Sequence, residues 1–326
     1  LLTVQEILTF QQIGIDPQFA NISNTALSQD KYLCIRENSD SESRAVIVDL
    51  QNNNAIARYP MKADRAVMHP SRNIITLRGP LTIQVFDINQ KQRLGTFNVP
   101  GGQGVNYLKW ADEDILAFVA DGSVYHWQLI LLSQVPPIQI FKLNEQLASG
   151  RIMNYSVSHD RQWLAVSAIC RQNDQTVGKV QLFSRERNSS QVFDDVFAAS
   201  FANVGPLPLL VLASKSQGSM KMDIFALGTT PAAQSFGKKH TELPKAHDAQ
   251  DDLPLQLIIS PLYSTAFLFT KCGYLYFVDI ETAFVYFSAR VSQASFTHAA
   301  LARDGSVIAL SSDGRMAKFG INKSII

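Results

Sequence analysis

Residues 266–280 read AFLFTKCGYLYFVDI, two runs of apolar and aromatic residues joined by a short linker with Gly273 in it. Each run has the length and the β-branched and aromatic content of a strand, and a glycine between them supplies the positive φ of a tight hairpin turn. The same paired pattern recurs seven times. The second members are 45–50 (AVIVDL), 83–88 (IQVFDI), 124–129 (VYHWQL), 180–185 (VQLFSR), 222–227 (MDIFAL), 275–280 (LYFVDI) and 316–321 (MAKFGI). Their upstream partners are 32–36 (YLCIR), 74–77 (IITL), 115–119 (ILAFV), 163–169 (WLAVSAI), 209–213 (LLVLA), 266–270 (AFLFT) and 307–310 (VIAL). Starts roughly 40 to 55 residues apart match the period of propeller blades. Asp121-Gly122, Gly178, Gly218, Gly273 and Asp313-Gly314 are read as the hairpin turns. A small sheet cannot bury both faces alone, whereas stacked copies do. The expected fold is all-β, a seven-bladed β-propeller of four-stranded antiparallel blades, with residues 1–326 as one domain.

The 326 residues are 46% hydrophobic and 17% charged, with a formal net charge of +1. That composition excludes disorder, and the spread of lysine and arginine offers no track for phosphates, so no nucleic acid partner is expected. No stretch approaches the ~20 apolar residues of a membrane helix, and no signal-peptide pattern opens the chain. Cys34, Cys170 and Cys272 lie far apart in apolar runs and read as reduced core thiols of a cytoplasmic protein.

Chemistry has few footholds. The stretch from Ser158 to Trp163 partly resembles an Asp-box but reads as a polar turn. His240, His247, Asp248, Asp251 and Asp252 match no zinc spacing, and 231–254 reads as a solvated loop. Gly101-Gly102-Gln103-Gly104 lacks the ending of a phosphate loop and precedes a strand. Ser28 and Lys31 have the spacing of some acyl-transfer nucleophiles without a companion motif. No catalytic residue, metal or cofactor is expected, and a propeller hydrolase would need converging acids and bases that the sequence does not offer.

Longer stretches carry a resemblance: 30–37 (DKYLCIRE), 63–70 (ADRAVMHP), 81–86 (LTIQVF), 123–127 (SVYHW), 153–155 (MNY), 198–201 (AASF), 228–231 (GTTP), 270–274 (TKCGY) and 279–282 (DIET). In this order they resemble the terminal domain of clathrin heavy chains; residues 206–218 and 232–252 match more loosely. The resemblance implies a non-enzymatic platform that binds peptides of trafficking adaptors at coated pits and vesicles. It places a clathrin-box groove between the first two blades, on Ile75, Thr82, Gln84, Phe86, Lys91 and Arg93. Ala57 and Tyr59 stand where the family usually has isoleucine and arginine. A second groove, for arrestin-like motifs between the fourth and fifth blades, falls on Arg187, Gln191 and Phe193. A top-surface site falls on Ile22, Arg151 and Met153 and is expected to be altered or lost, because Arg151 puts a charge beside an aromatic pocket. The family's helical leg would follow Ile326, so an excised, monomeric domain is expected, with trimerisation through the leg and membranes met only through adaptors. The alternative is a propeller of another coat or multiprotein complex that binds folded partners through its faces.

Overall fold

The computed structural model describes residues 1–38, 42–131, 134–245 and 248–322. After β1 (Leu2–Thr9), strands follow in groups of four. The first blade is β2 (Thr25–Ser28), β3 (Tyr32–Asn38), β4 (Ser43–Asp49) and β5 (Ala55–Pro60), and the second is β6 (Arg65–Met68), β7 (Ile74–Arg78), β8 (Thr82–Asp87) and β9 (Gln92–Asn98). The third is β10 (Val105–Trp110), β11 (Ile115–Ala120), β12 (Ser123–Gln128) and β13 (Ile138–Lys142). A one-turn helix, α1 (Glu145–Ala148), precedes the fourth, β14 (Arg151–Val157), β15 (Trp163–Gln172), β16 (Gln175–Ser184) and β17 (Ser189–Asp194). The fifth contains β18 (Val196–Val204), β19 (Leu207–Ser216), β20 (Ser219–Ala226) and, after α2 (Pro231–Phe236), β21 (Lys238–Glu242). The sixth is β22 (Pro254–Ser260), β23 (Thr265–Thr270), β24 (Tyr274–Asp279) and β25 (Val285–Arg290). The last group, β26 (Phe296–Leu301), β27 (Val307–Ser311) and β28 (Arg315–Ile321), takes β1 as its edge strand, in the order β1-β28-β27-β26. Seven four-stranded antiparallel sheets make the fold a seven-bladed β-propeller.

All seven predicted pairs are the two central strands of a blade. These strands are covered on both faces, so they read as continuous apolar runs; the outer strands are polar and exposed, as in β5 and β17. The turns at Asp121-Gly122 (φ 48° and 69°), Gly218 (φ 76°), Gly273 (φ 83°) and Gly314 (φ 82°) are left-handed as expected.

Gly178 is a correction. It lies inside β16 opposite Ile169, and the turn is made by Asn173 and Asp174, at φ 48° and 60°. Asparagine and aspartate tolerate that region, so the turn needs no glycine. What demands glycine at 178 is space: a Cβ there would lie 2.4 Å from the Val196 carbonyl oxygen.

The segment read as a loop from 231 also contains structure. Pro231 opens α2 behind Thr230, whose Oγ1 accepts from the Ala233 N–H at 3.2 Å, and β21 then completes the fifth blade. Cys34 and Cys170 are buried, but Cys272 is only half-buried, in the β23–β24 turn, and all three are free thiols. Among the described residues no helix is long and apolar enough to cross a membrane.

The contacts define two compact units, one of Gln5–Leu143 with Ile308–Lys318 and the other of Leu1–Val4, Asn144–Val307 and Phe319–Ile326. In the first, Leu33, Ile35, Val46 and Val48 pack with Leu310 and Met316, while Cys34, Ala45 and Ile47 join Ile75, Ile83, Val85 and Phe118 in a separate core. In the second, Val180 and Leu182 of the fourth blade pack against Leu210 and Leu212 of the fifth.

Candidate functional site

The pleat of β8 sorts its side chains. Ile83 and Val85 are fully buried, whereas Thr82, Gln84 and Phe86 alternate with them on the opposite face and are half-buried. In the ladder with β9, Ile83 is opposite Phe97, whose ring lies 5.7 Å from Phe118 and 6.1 Å from Trp127 of the third blade. That face looks toward the third blade, so Thr82, Gln84 and Phe86 look toward the first.

The first blade answers in register. Val46 and Val48 turn toward Leu310 and Met316, which leaves Ala45 and Ile47 facing the second blade. Their partners on β5 are Tyr59 and Ala57 respectively, and directly opposite residues share a face. Ile75 is opposite Phe86 and buried at 7% exposure, so it contributes beneath the surface as a floor. The structure thus brings Ala57 and Tyr59 onto one wall and Thr82, Gln84 and Phe86 onto the other, above Ile47 and Ile75.

Lys91 and Arg93 are exposed at the rim. Lys91 adopts φ 52° in the β8–β9 turn, where the Asp87 carboxylate accepts from the Gln90 N–H at 2.9 Å. Arg93 pairs with Phe86 because a bulge after Val85 shifts the register by one residue. The ladder adds Thr96 opposite Gln84 and Asn98 opposite Thr82, two polar groups of the same face that the sequence pattern does not single out. Only the β9 register, bulge included, reveals them.

At the positions expected for a second groove, Gln191 and Phe193 alternate on β17, opposite Leu182 and Val180, and so face the fifth blade. The Phe193 ring lies 5.9 Å from that of Phe225 on β20. Arg187 is exposed in the turn before β17, its N–H donating to Ser184 Oγ at 3.3 Å. Sequence reasoning misses Asp223 and Phe225, which alternate on the third strand of this blade as Gln84 and Phe86 do on that of the second; alignment of the repeats would find them. The Asp223 carboxylate accepts from His240 Nδ1 at 2.7 Å and pairs with Lys238 Nζ at 3.1 Å.

The top-surface residues fall in different units. The Ile22 carbonyl accepts from Arg65 Nη1 at 2.6 Å. Arg151 begins β14 and is exposed, and Met153 is the extra residue of a bulge between Ile152 and Asn154.

The polar residues weighed for chemistry have structural partners. Ser28 Oγ donates to the Met68 carbonyl at 2.6 Å and is buried. Asp248 accepts from Tyr274 and from Arg290, and one Asp252 oxygen accepts from the Leu253 and Cys272 N–H groups. His247 lies outside the described residues. Ser158 Oγ accepts from the Trp163 N–H at 3.0 Å, closing the expected polar turn.

No protein-family model matches the chain. The chain is 29% identical over 328 residues to the probable clathrin heavy chain of Schizosaccharomyces pombe, covering 98% of this chain and 19% of that protein. It is 30% identical over 330 residues to the clathrin heavy chain of Drosophila melanogaster (99% and 19%) and 32% over 311 residues to clathrin heavy chain 1 of Arabidopsis thaliana (89% and 18%). A chain in a solved structure described as "Crystal Structure of Mitotic Checkpoint Complex" shares the fold, with a TM-score of 0.63, 14% identity, and coverage of 97% of this chain and 92% of that one. The chain spans about one fifth of the length of the curated relatives it matches. It is a homologue of the clathrin heavy chain along a segment that forms a seven-bladed propeller.

Proposed function

We propose that this chain is a non-enzymatic, adaptor-binding platform of a clathrin coat at the cytoplasmic face of coated pits and vesicles. Its principal ligand is a short extended peptide of the clathrin-box type, held between the first two blades. The observation that carries this reading is the convergence of Ala57 and Tyr59 with Thr82, Gln84 and Phe86 above a buried Ile75.

An extended peptide presents alternate side chains to one wall at a time, and the alternation of β8 matches it. Phe86 is an apolar wall for leucine-like side chains. The Gln84 amide has both a donor and an acceptor for a peptide backbone. Lys91 and Arg93 attract an acidic residue, more through encounter rate than affinity, because both are exposed. Burying two leucines contributes about 3–6 kcal/mol, and ordering the peptide offsets much of it. A micromolar contact follows, and many copies on a coat convert it into useful avidity.

Arg187, Gln191 and Phe193, with Phe225, form a second groove for arrestin-like motifs. The propeller by itself is monomeric, and trimerisation is the work of the helical leg that the family carries. The test is a titration of a labelled clathrin-box peptide into the native chain and a Gln84→Ala/Phe86→Ala variant, with circular dichroism of both. Micromolar binding that weakens at least about tenfold in the variant supports the reading. Equal binding by native and variant chains, or none by the native chain, overturns it.

A further inference from the structure

The face of the second blade that looks toward the first continues past Gln84. Phe86 and Arg93 form the rung beside Lys91 and the β8–β9 turn, and this end is cationic. Along β8 in the other direction the next two rungs on that face, Gln84 with Thr96 and Thr82 with Asn98, carry no charge. Thr82 and Gln84 are half-buried, and Thr96 and Asn98 are exposed on β9, the outermost strand of the sheet. Leu77, directly opposite Gln84 on β7, adds a partly buried apolar floor next to them. At ~3.3 Å per residue, the steps from Phe86 to Thr82 set the neutral end about 13 Å from the cationic one.

None of the Thr82, Gln84, Thr96 and Asn98 side chains has a hydrogen-bond partner among the described residues. The equivalent rungs of other blades are bonded internally. In the fourth blade Lys179 pairs with Asp194 directly opposite, while Gln181 Nε2 donates to Ser190 Oγ at 2.9 Å and Gln181 Oε1 accepts from the Asn144 N–H at 2.7 Å. In the fifth, Lys221 Nζ stands 3.6 Å from Glu242 Oε1, and Asp223 accepts from His240 at 2.7 Å. In the sixth, Tyr274 donates to Asp248, and Tyr276 donates to the Pro244 carbonyl at 3.1 Å. The second blade thus leaves open a row of polar groups that these three blades close with groups of their own.

We propose that Thr82, Gln84, Thr96 and Asn98 form a subsite for a carboxamide side chain, asparagine or glutamine, placed beside the clathrin-box core on the side away from its acidic residue. The subsite rests on the reading of a peptide between the first two blades and extends it. The threonine hydroxyls and the Gln84 and Asn98 amides each offer a donor and an acceptor, the same pair that a carboxamide presents. A carboxylate or an ammonium group would meet no counter-charge there and would lose part of its hydration. Specificity then comes from both ends. The acidic residue at Lys91 and Arg93 fixes the direction of the peptide, and the neutral rungs favour one residue type at the other end.

The test measures the affinity of the 326-residue chain for the clathrin-box core extended on that side by glutamine, alanine or glutamate, with circular dichroism of native and variant chains. The glutamine peptide is expected to bind about three- to tenfold more tightly than the alanine peptide, the gain of one or two hydrogen bonds, and the glutamate peptide no more tightly than alanine. In a Thr96→Val/Asn98→Ala chain the glutamine-to-alanine ratio should fall to about one. Both positions are exposed on an edge strand, so the fold tolerates the change. Equal affinities for the glutamine and alanine peptides in the native chain, an equal gain from glutamate, or a ratio that survives the double substitution would overturn the proposal. Failure of all three peptides to bind the native chain would instead overturn the groove reading, and this subsite with it.

Discussion

Replacing Gly178 by alanine puts a methyl group 2.4 Å from the Val196 carbonyl oxygen, 2.6 Å from its carbon and 2.7 Å from Phe197 Cγ. All three atoms belong to buried residues that open β18, and two of them are backbone, so no rotamer change relieves the clash. The strands must separate by most of an ångström. Overpacking of this kind costs about 1–3 kcal/mol, and a methyl group against fixed backbone lies at the upper end. Alanine also narrows the unfolded ensemble, which returns roughly 0.4–1 kcal/mol. A net loss of about 2 kcal/mol follows, roughly a thirtyfold change in the folded-to-unfolded ratio. Urea unfolding monitored by fluorescence should show a lower midpoint at unchanged slope. Hydrogen exchange should rise first in β16 and β18, the two strands that carry the clashing groups. A Gly178→Ala chain as stable as the native one would refute the steric account of this position.

Acid should weaken the fold through His69. Its ring is fully buried, Nδ1 accepts from the Ser71 and Arg72 N–H groups at 3.1 Å each, and Nε2 donates to the Glu113 carbonyl at 2.8 Å, which requires the neutral imidazole. Burial lowers its pKa below 6.5, so its contribution is complete above 6.5 and is lost as pH falls from there through the folded-state value. Urea midpoints measured below pH 6.5 should fall in the native chain and less steeply in His69→Gln. Thiol titration near about pH 8 should label Cys272 first. Cys34, 1% exposed with its pKa pushed up to about 12 mainly by burial, should label only on unfolding, and early reaction of Cys34 would contradict its packing. Tyr59→Arg should tighten an acidic clathrin-box peptide several-fold at low salt and steepen its salt dependence; an unchanged salt slope would remove position 59 from the groove wall.

How much of the fold is legible in the sequence depends on burial. The central hairpins stand out because β3 and β4, or β23 and β24, are covered on both faces and tolerate little but apolar residues. The outer strands are hard to see for the opposite reason: β5 and β21 are largely exposed, and their alternation is masked by charge. Gly178 reads as a turn residue because sequence cannot distinguish a glycine that turns the chain from one that lets a neighbouring strand approach. At the first groove, the alternation of Thr82, Gln84 and Phe86 can be read directly. That Tyr59 and Ala57 oppose them depends on which face of β4 meets the second blade, a fact of packing between blades. Phe225 stays hidden because its role comes from Phe193 across an interface, not from its own strand.

The strand order of the last blade bears on how the chain acquires its fold. The pairing of β1 with β28 joins segments separated by roughly three hundred residues, and bringing such distant ends together carries an entropic cost on the order of 5 kcal/mol. Each of the other six sheets can form from strands adjacent in sequence as they emerge from the ribosome. Residues 2–9 must wait, with an unpaired edge, until residues 315–321 have been synthesised. The growing propeller therefore passes through a long interval in which β1 is a free edge, open to capture by a neighbouring copy or to protection by a chaperone.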